Sequence, residues 1–167
     1  DSVVVMSNAI GMQQWDWIRS KNNRVYPSWR PDVIQTMFQT QEKLKKMKKP
    51  LLRWLLILDD CIERKMNDEM LSKVCTWGRH YYVMLVALSQ SWTMLHPDIR
   101  RNLDIICFFS LRSRGDRDML VETLACCMDK KTVLKLNDSL PKFTALIIDY
   151  TQGELELYKW KVPLVKT

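Results

Sequence analysis

Two adjacent carboxylates, Asp59 and Asp60, close the run Leu51–Leu58, which is apolar except for Arg53. A pair in that position can hold a hydrated magnesium ion through its first member. The second can orient or deprotonate an attacking water. Magnesium keeps several waters and needs only one or two protein carboxylates, so so short a motif suffices. The same pair also ends strands in metal-dependent nucleases and receiver domains, and a solvated loop start capping the next helix has the same composition. Two further apolar runs stop in polar residues, Tyr82–Leu88 in Ser89-Gln90-Ser91 and Ile105–Phe109 in Ser110. Ligands of open α/β sheets gather at the carboxyl ends of the strands, which makes these three ends the candidates.

The elements that must position them follow from hydrophobic periodicity. Val3–Met6 is short and β-branched, as in a buried strand. Pro27 and Pro31 bracket a loop, and Asp32 opens a helical pattern with Val33, Ile34, Met37, Phe38, Leu44 and Met47 on one face. Lysines 43, 45, 46, 48 and 49 crowd its last turns, where they suit the helix dipole or a DNA backbone, and Pro50 stops it. Leu51–Leu58 reads as a strand. Ile62, Met66, Met70, Leu71 and Val74 keep helical spacing up to Gly78, a natural C-cap. Tyr82–Leu88 and Ile105–Phe109 are strands, 116–127 and 130–136 helices, and Phe143–Asp149 a strand. A turn at Thr151-Gln152-Gly153 leads into the alternating Glu154–Leu157, an edge strand of a closing hairpin. This order predicts one α/β domain over residues 1–167, with a mostly parallel sheet flanked by helices and a final antiparallel hairpin.

Composition narrows the function classes. With 167 residues, 47% of them hydrophobic and 27% charged, the chain can bury an ordinary globular core. Five cysteines without a Cys-x-x-Cys pair, and two histidines at no ligand spacing, speak against disulfides and zinc and for a reducing, intracellular compartment. No apolar run reaches the roughly 20 residues of a membrane span, so no membrane partner is expected. A net charge of +7 suits a polyanionic partner. Trp15, Trp17 and Trp29 interleave with Arg19, Lys21, Arg24 and Arg30, either to stack on bases or to anchor loops. Glycine is scarce, at positions 11, 78, 115 and 153 only, and the chain opens at Asp1 without a methionine, as a processed product or fragment would.

After Asp59-Asp60 come a helix, Trp77-Gly78-Arg79-His80, a strand ending in Ser89-Gln90, the segment Pro97-Asp98-Ile99-Arg100-Arg101-Asn102, and a further strand. This succession resembles the FtsK–HerA group of P-loop ATPases, most closely the genome-packaging ATPases of poxviruses and other large DNA viruses. The likeness runs from about Leu51 onward and includes the final hairpin with Tyr158 and Trp160. It implies a RecA-like P-loop fold and an ATPase that drives double-stranded DNA into a capsid, with ATP and Mg2+ as cofactors. A homo-oligomeric ring and a capsid or portal partner are implied with it, in the host cytoplasm or the virion. Asp59 would then be the magnesium carboxylate and Asp60 the catalytic base. Gln90 would be the γ-phosphate sensor and Arg79 an arginine acting on a neighbouring subunit's nucleotide, with Arg100 and Arg101 as alternatives to it.

One departure from that pattern is large. No Gly-x-x-x-x-Gly-Lys-Ser/Thr loop occurs, so nothing in the sequence has the form of a phosphate cradle. In the family, the strand matching Val3–Met6 follows the P-loop helix. The first strand and the P-loop are therefore expected upstream of Asp1, and the strands at 82–88 and 105–109 are expected to lack a neighbour. Two other readings remain open: a P-loop-less module that binds DNA or a capsid, and a metal-dependent nuclease using Asp59, Asp60 and Asp149.

Overall fold

The computed structural model describes residues 1–8, 13–19, 22–61, 68–126, 128–151 and 156–161, the side chains of 13–14 and 156–161 excepted. Ile62 and Met66 of the expected helix, the hairpin residues 152–155 and Cys127 lie outside the described residues. The chain forms two compact units, Asp1–Asn102 and Leu103–Thr167.

The first unit is built on four parallel strands: β1 (Ser2–Ser7), β2 (Arg24–Tyr26), β3 (Trp54–Asp59) and β4 (Val83–Leu88), in the order β2-β1-β3-β4. Parallel strands need crossovers, and the helices α1 (Pro31–Lys46) and α2 (Glu69–Trp77) supply them. The β-branched and leucine-rich centres are sealed on the helix-covered face, where Val4, Met6, Leu56 and Leu58 are nearly or fully buried. Helix α1 starts at Pro31, one residue before the expected Asp32, because proline is preorganised for the first helical position. Its buried stripe is Ile34, Met37, Phe38 and Gln41, helical spacing with a polar last member. Met47, expected on that stripe, is exposed, since it caps the helix instead of belonging to it.

Gln41 is fully buried, and its amide is used in full. Nε2 donates to the Leu52 carbonyl at 2.6 Å and the Tyr81 carbonyl at 2.5 Å, and Oε1 accepts from the Leu52 N–H at 3.0 Å. Three backbone groups beside the starts of β3 and β4 are thereby satisfied away from water. Phe38 meets the Tyr81 ring edge-on at 5.0 Å, and the Tyr81 hydroxyl donates to Glu42. The end of α1 and the turn before β4 are thus fastened together.

Glycine scarcity has a visible consequence. The left-handed backbone positions among the described residues belong to Lys48, Asp60, Tyr82 and Phe143. Gly78 is the C-cap of α2, as the sequence suggested, but it is not left-handed. Its φ is −50°, the chain continues through a 3-10 turn at Gly78–Tyr81, and the reversal falls on Tyr82. Gly78 is there for space: a Cβ would lie 3.1 Å from the Val83 carbonyl oxygen. Helix α1 ends in a Schellman arrangement, with Lys49 N–H on the Leu44 carbonyl, Lys48 N–H on the Lys45 carbonyl, and Lys48 at φ 52° where glycine is the default.

The unit closes with α3 (Pro97–Arg101). His96 Nδ1 accepts from the Asp98 N–H, and Asn102 donates from its side chain to the Asp98 carbonyl and from its backbone to that of Ile99. The Pro-x-x-Ile-Arg-x-Asn segment is therefore a short helix that caps itself at both ends. It is docked by Ile99, 1% exposed, and by the Ser72 hydroxyl on Asp98.

The second unit pairs β5 (Ile105–Phe108), β6 (Thr144–Asp149) and β7 (Glu156–Lys161) antiparallel, β6 central. The closing hairpin is present, with its last strand at Glu156–Lys161, later than the expected 154–157. Helices α4 (Arg114–Leu124) and α5 (Lys130–Asp138) are capped by Ser113 and Asp129 and clamped by Arg117, which grips both Asp138 oxygens at 2.8 and 3.0 Å. Strand β4 ends the order of the first sheet and β5 that of the second, the two strands expected to lack a neighbour. Met84, Val86 and Leu88 on β4 and Ile105 on β5 are exposed accordingly.

Two stability measurements follow. Gln41→Ala leaves three buried backbone groups unpaired and a void behind, so urea unfolding should shift to lower midpoint by about 2–4 kcal/mol. Lys48→Gly relieves a left-handed lysine and should stabilise by about 1 kcal/mol, raising Tm by roughly 2–4 °C.

Candidate functional site

The site forms at the carboxyl ends of β1, β3 and β4. Parallel register sets Ser7 opposite Asp59, and Asp59 opposite Leu88. The next residues of each strand therefore emerge side by side. The Asp60 N–H continues the ladder onto the Leu88 carbonyl at 3.1 Å, and the Asn8 N–H does so onto the Asp59 carbonyl at 3.3 Å.

Asp60 turns into the left-handed region, φ 48°, which aspartate tolerates better than most residues. Its carboxylate is then held on both oxygens by one residue. Gln90 Nε2 donates to Oδ2 at 2.7 Å and Gln90 N–H to Oδ1 at 3.2 Å. The expected base and the expected sensor are thus in direct contact, and both are exposed. Asn8 adds a hydrogen bond from Nδ2 to the Asp60 carbonyl at 3.1 Å.

Asp59 is half-buried and differently served. The Ser7 hydroxyl, 1% exposed, donates to Oδ2 at 2.7 Å, and the Trp15 indole N–H reaches the same oxygen at 3.3 Å. Both of these donors are neutral, and they orient the carboxylate. Ser7 and Asn8 escaped the sequence reading, and Trp15 was singled out there only to stack on bases or to anchor a loop. The signal was available for the first two: Ser7-Asn8 directly follows the apolar Val3–Met6, the same strand-end pattern that singled out the other candidates.

No group of three His, Cys, Asp or Glu side chains that could hold a metal exists among the described residues. Asp59 beside the Ser7 hydroxyl offers the sparse, all-oxygen set that suits a magnesium ion keeping most of its waters. Cys61 is buried next to the pair. Burial, followed by the nearby Asp59 and Asp60 charges, raises its thiol to about 11, and its Sγ–H points to the Met6 carbonyl at 3.1 Å. Asp149, the third carboxylate of the nuclease reading, lies in the second unit. There it accepts from the N–H and hydroxyl of Thr151, which hold it below the usual carboxylate range.

Arg79 is not brought to this site. It sits exposed in the 3-10 turn before β4, whereas Gln90 follows that strand's other end. Six residues of strand at about 3.3 Å each separate them by roughly 20 Å. Arg101 is exposed and Arg100 half-buried on α3. Of the tryptophans, Trp29 anchors a loop by donating to Asp68, the N-cap of α2, at 2.6 Å, and Trp17 is 78% exposed. No helix among the described residues is long and apolar enough to cross a membrane.

A family model described as Poxvirus A32 protein matches residues 30–148. The uncharacterized protein 015R of Frog virus 3 (isolate Goorha) is 26% identical over 133 residues, covering 77% of this chain and 41% of that protein. The chain thus spans about two-fifths of that relative's length. Among solved structures, the genome packaging NTPase B204 of Sulfolobus turreted icosahedral virus 2 in complex with ATP-gammaS superposes with a TM-score of 0.64 at 14% identity. That match covers 94% of this chain and 80% of the other. The DNA-packaging ATPase B204 of Sulfolobus Turreted Icosahedral Virus gives a TM-score of 0.66 at 14% identity, over 97% of this chain and 83% of the other. At that identity the likeness establishes the fold, that of the P-loop packaging NTPases.

The raised Cys61 thiol can be measured directly. Its alkylation by iodoacetamide, followed by mass spectrometry, should be slow at neutral pH and accelerate only as the pH nears the thiol's value, because the thiolate is the nucleophile. The exposed Cys126 should react first.

Proposed function

The chain belongs to the Poxvirus A32 protein family, and on that premise we propose that it is the hydrolytic part of an ATP-driven motor that moves double-stranded DNA into a capsid. The observation that carries this reading is the Asp60–Gln90 contact, made where neighbouring parallel strands end and beside the oriented Asp59. Asp59 would hold the magnesium ion, which when bound neutralises phosphate charge. Asp60 accepts a proton from the attacking water. Each carboxylate oxygen can accept more than one hydrogen bond, so Gln90 and the water can share it. Gln90 links the base to the place where the terminal phosphate must sit, and its amide can report whether that phosphate is present.

A phosphate cradle must come from elsewhere, since the chain has no P-loop sequence. The place of β4 at the end of the first sheet's strand order supports a further parallel strand there, carrying the glycine-rich loop at its carboxyl end beside Gln90. Arg79, about 20 Å away along β4, suits a nucleotide held by a neighbouring subunit, and hence a ring.

In the full-length protein, Asp60→Asn should lower kcat for ATP hydrolysis by about 10²–10⁴-fold while nucleotide binding persists. Asparagine keeps the left-handed backbone, so a loss reports chemistry and not folding. Arg79→Ala should cost about 10³-fold. Mixing the two inactive variants should restore hydrolysis, because each supplies what the other lacks across an interface. Full activity of Asp60→Asn alone would sink the assignment, and failure of mixing to restore activity would remove Arg79 from the neighbour's site.

A further inference from the structure

The amino-terminal ends of β3 and β4 gather a concentration of positive charge that the hydrolytic site does not use. Five of the seven residues 43–49 are lysines, at positions 43, 45, 46, 48 and 49, and all five are exposed. Helix α1 runs opposite to the strands, so these lysines emerge at the same end as the 3-10 turn bearing Arg79. The Gln41–Tyr81 and Glu42–Tyr81 hydrogen bonds fasten the two together. None of the five makes an ion pair among the described residues, whereas Arg19, Arg30, Arg53, Arg114 and Arg117 each sit on an aspartate. The local acid Glu42 is turned to the Tyr81 hydroxyl.

The helix dipole rewards one or two cations in the last turn, not five. Lys43 and Lys46 are like-charge neighbours at helical spacing, an arrangement that costs stability in the free protein, and Lys45, Lys48 and Lys49 crowd the same helix end. Lys48 adds a second local cost, a left-handed backbone at the Schellman position where glycine would be relaxed. The repulsion among these lysines is a cost that a bound polyanion would offset. The helical part of the cluster, Lys43–Lys46, rises about 4.5 Å along the axis, and the turn that follows adds Lys48 and Lys49 at the same end.

We propose that the lysine-bearing end of α1 and the 47–49 turn form a docking surface for the phosphate backbone of double-stranded DNA. This deepens the motor reading above and rests on it for the identity of the polyanion. The contacts are to phosphates, so the surface is indifferent to base sequence. Because Gln41, Phe38 and Glu42 join these turns to the one that carries Arg79, a DNA strand held by the lysines and a neighbour's nucleotide read by Arg79 act on one rigid block.

The test is fluorescence anisotropy of a labelled DNA duplex titrated with the full-length protein, from about 50 to about 200 mM NaCl. The wild type should show a linear fall of log K with log salt. The triple variant Lys45→Gln/Lys48→Gln/Lys49→Gln should lower that slope by about 2–3 and weaken binding by about tenfold or more near 100 mM salt. Lys48→Gly alone should lower the slope by about 1 while its melting temperature rises, which separates lost binding from lost folding. The control Lys130→Gln/Lys131→Gln/Lys135→Gln on α5 should keep most of the affinity. The proposal is overturned if the wild type binds no duplex, if the first triple variant keeps the wild-type affinity and slope, or if the α5 variant loses as much. Asp60→Asn keeps the two readings apart: it should lose hydrolysis and retain the full salt slope. A wild type that hydrolyses ATP without salt-dependent binding therefore fails the surface alone, and hydrolysis surviving in Asp60→Asn fails the site alone.

Discussion

The register between β3 and β4 is the constraint on which the candidate site depends. Asp59 lies opposite Leu88, and one further ladder bond, Asp60 N–H to the Leu88 carbonyl, carries the pairing past the last strand residue. Only then does Gln90 fall within reach of the Asp60 carboxylate. A slip of one residue would turn each side chain of β3 to the other face, withdrawing Leu56 and Leu58 from the helix-covered core. The register that buries the core is therefore the register that builds the site. Hydrophobic burial, at roughly 1.5–3 kcal/mol for each large side chain, enforces a polar geometry that hydrogen bonds at about 1 kcal/mol each could not hold alone.

Polar groups then refine what burial fixes. Gln41 takes the last position of an apolar stripe and uses its amide to close off the backbone where β3 and β4 begin. Asp68 and Asp129 start helices, and Asn137 exchanges two hydrogen bonds with Leu111. With few glycines, the sharp reversals fall on Lys48, Asp60, Tyr82 and Phe143. At Asp60 the reversal lifts the carboxylate out of the strand's alternation and toward Gln90, so the backbone conformation is part of the site.

Periodicity and strand-end chemistry made much of this legible. Every strand except the three-residue β2, the order of helices and the closing hairpin follow from apolar runs and their punctuation, and Asp59, Asp60 and Gln90 stand where those runs end. What escaped has physical reasons. Gln41 is a polar residue in an apolar slot, and periodicity cannot tell it from a surface glutamine. Trp15 reaches Asp59 across 44 positions of sequence, a contact only the folded chain defines. Gly78 caps α2 where the sequence placed the cap, but its second service, a missing Cβ that allows close approach to Val83, is visible only in the folded chain. Arg79 lies between the carboxylates and Gln90 in sequence, yet a β-strand separates in space what it joins in order, which agrees with the reading of Arg79 as a residue for a neighbour's nucleotide.

That separation gives the first unit two chemically distinct ends. At the carboxyl ends of the strands stand acceptors suited to a metal and a water. At the amino ends stand cations, Arg79 and the five lysines, suited to phosphates. Between them lie about 20 Å of hydrogen-bonded parallel strand, packed at interior density and nearly incompressible. Such a sheet cannot bend to bring Arg79 to its own Asp60, so the two ends can act on one phosphate only if they belong to different copies. The same stiffness means that displacement at one end appears at the other instead of being absorbed. A ring of such units would tie each subunit's grip on its neighbour's nucleotide to the state of its own. The lysines, fastened to Arg79 through Gln41 and Tyr81, would carry that displacement to whatever polyanion they hold.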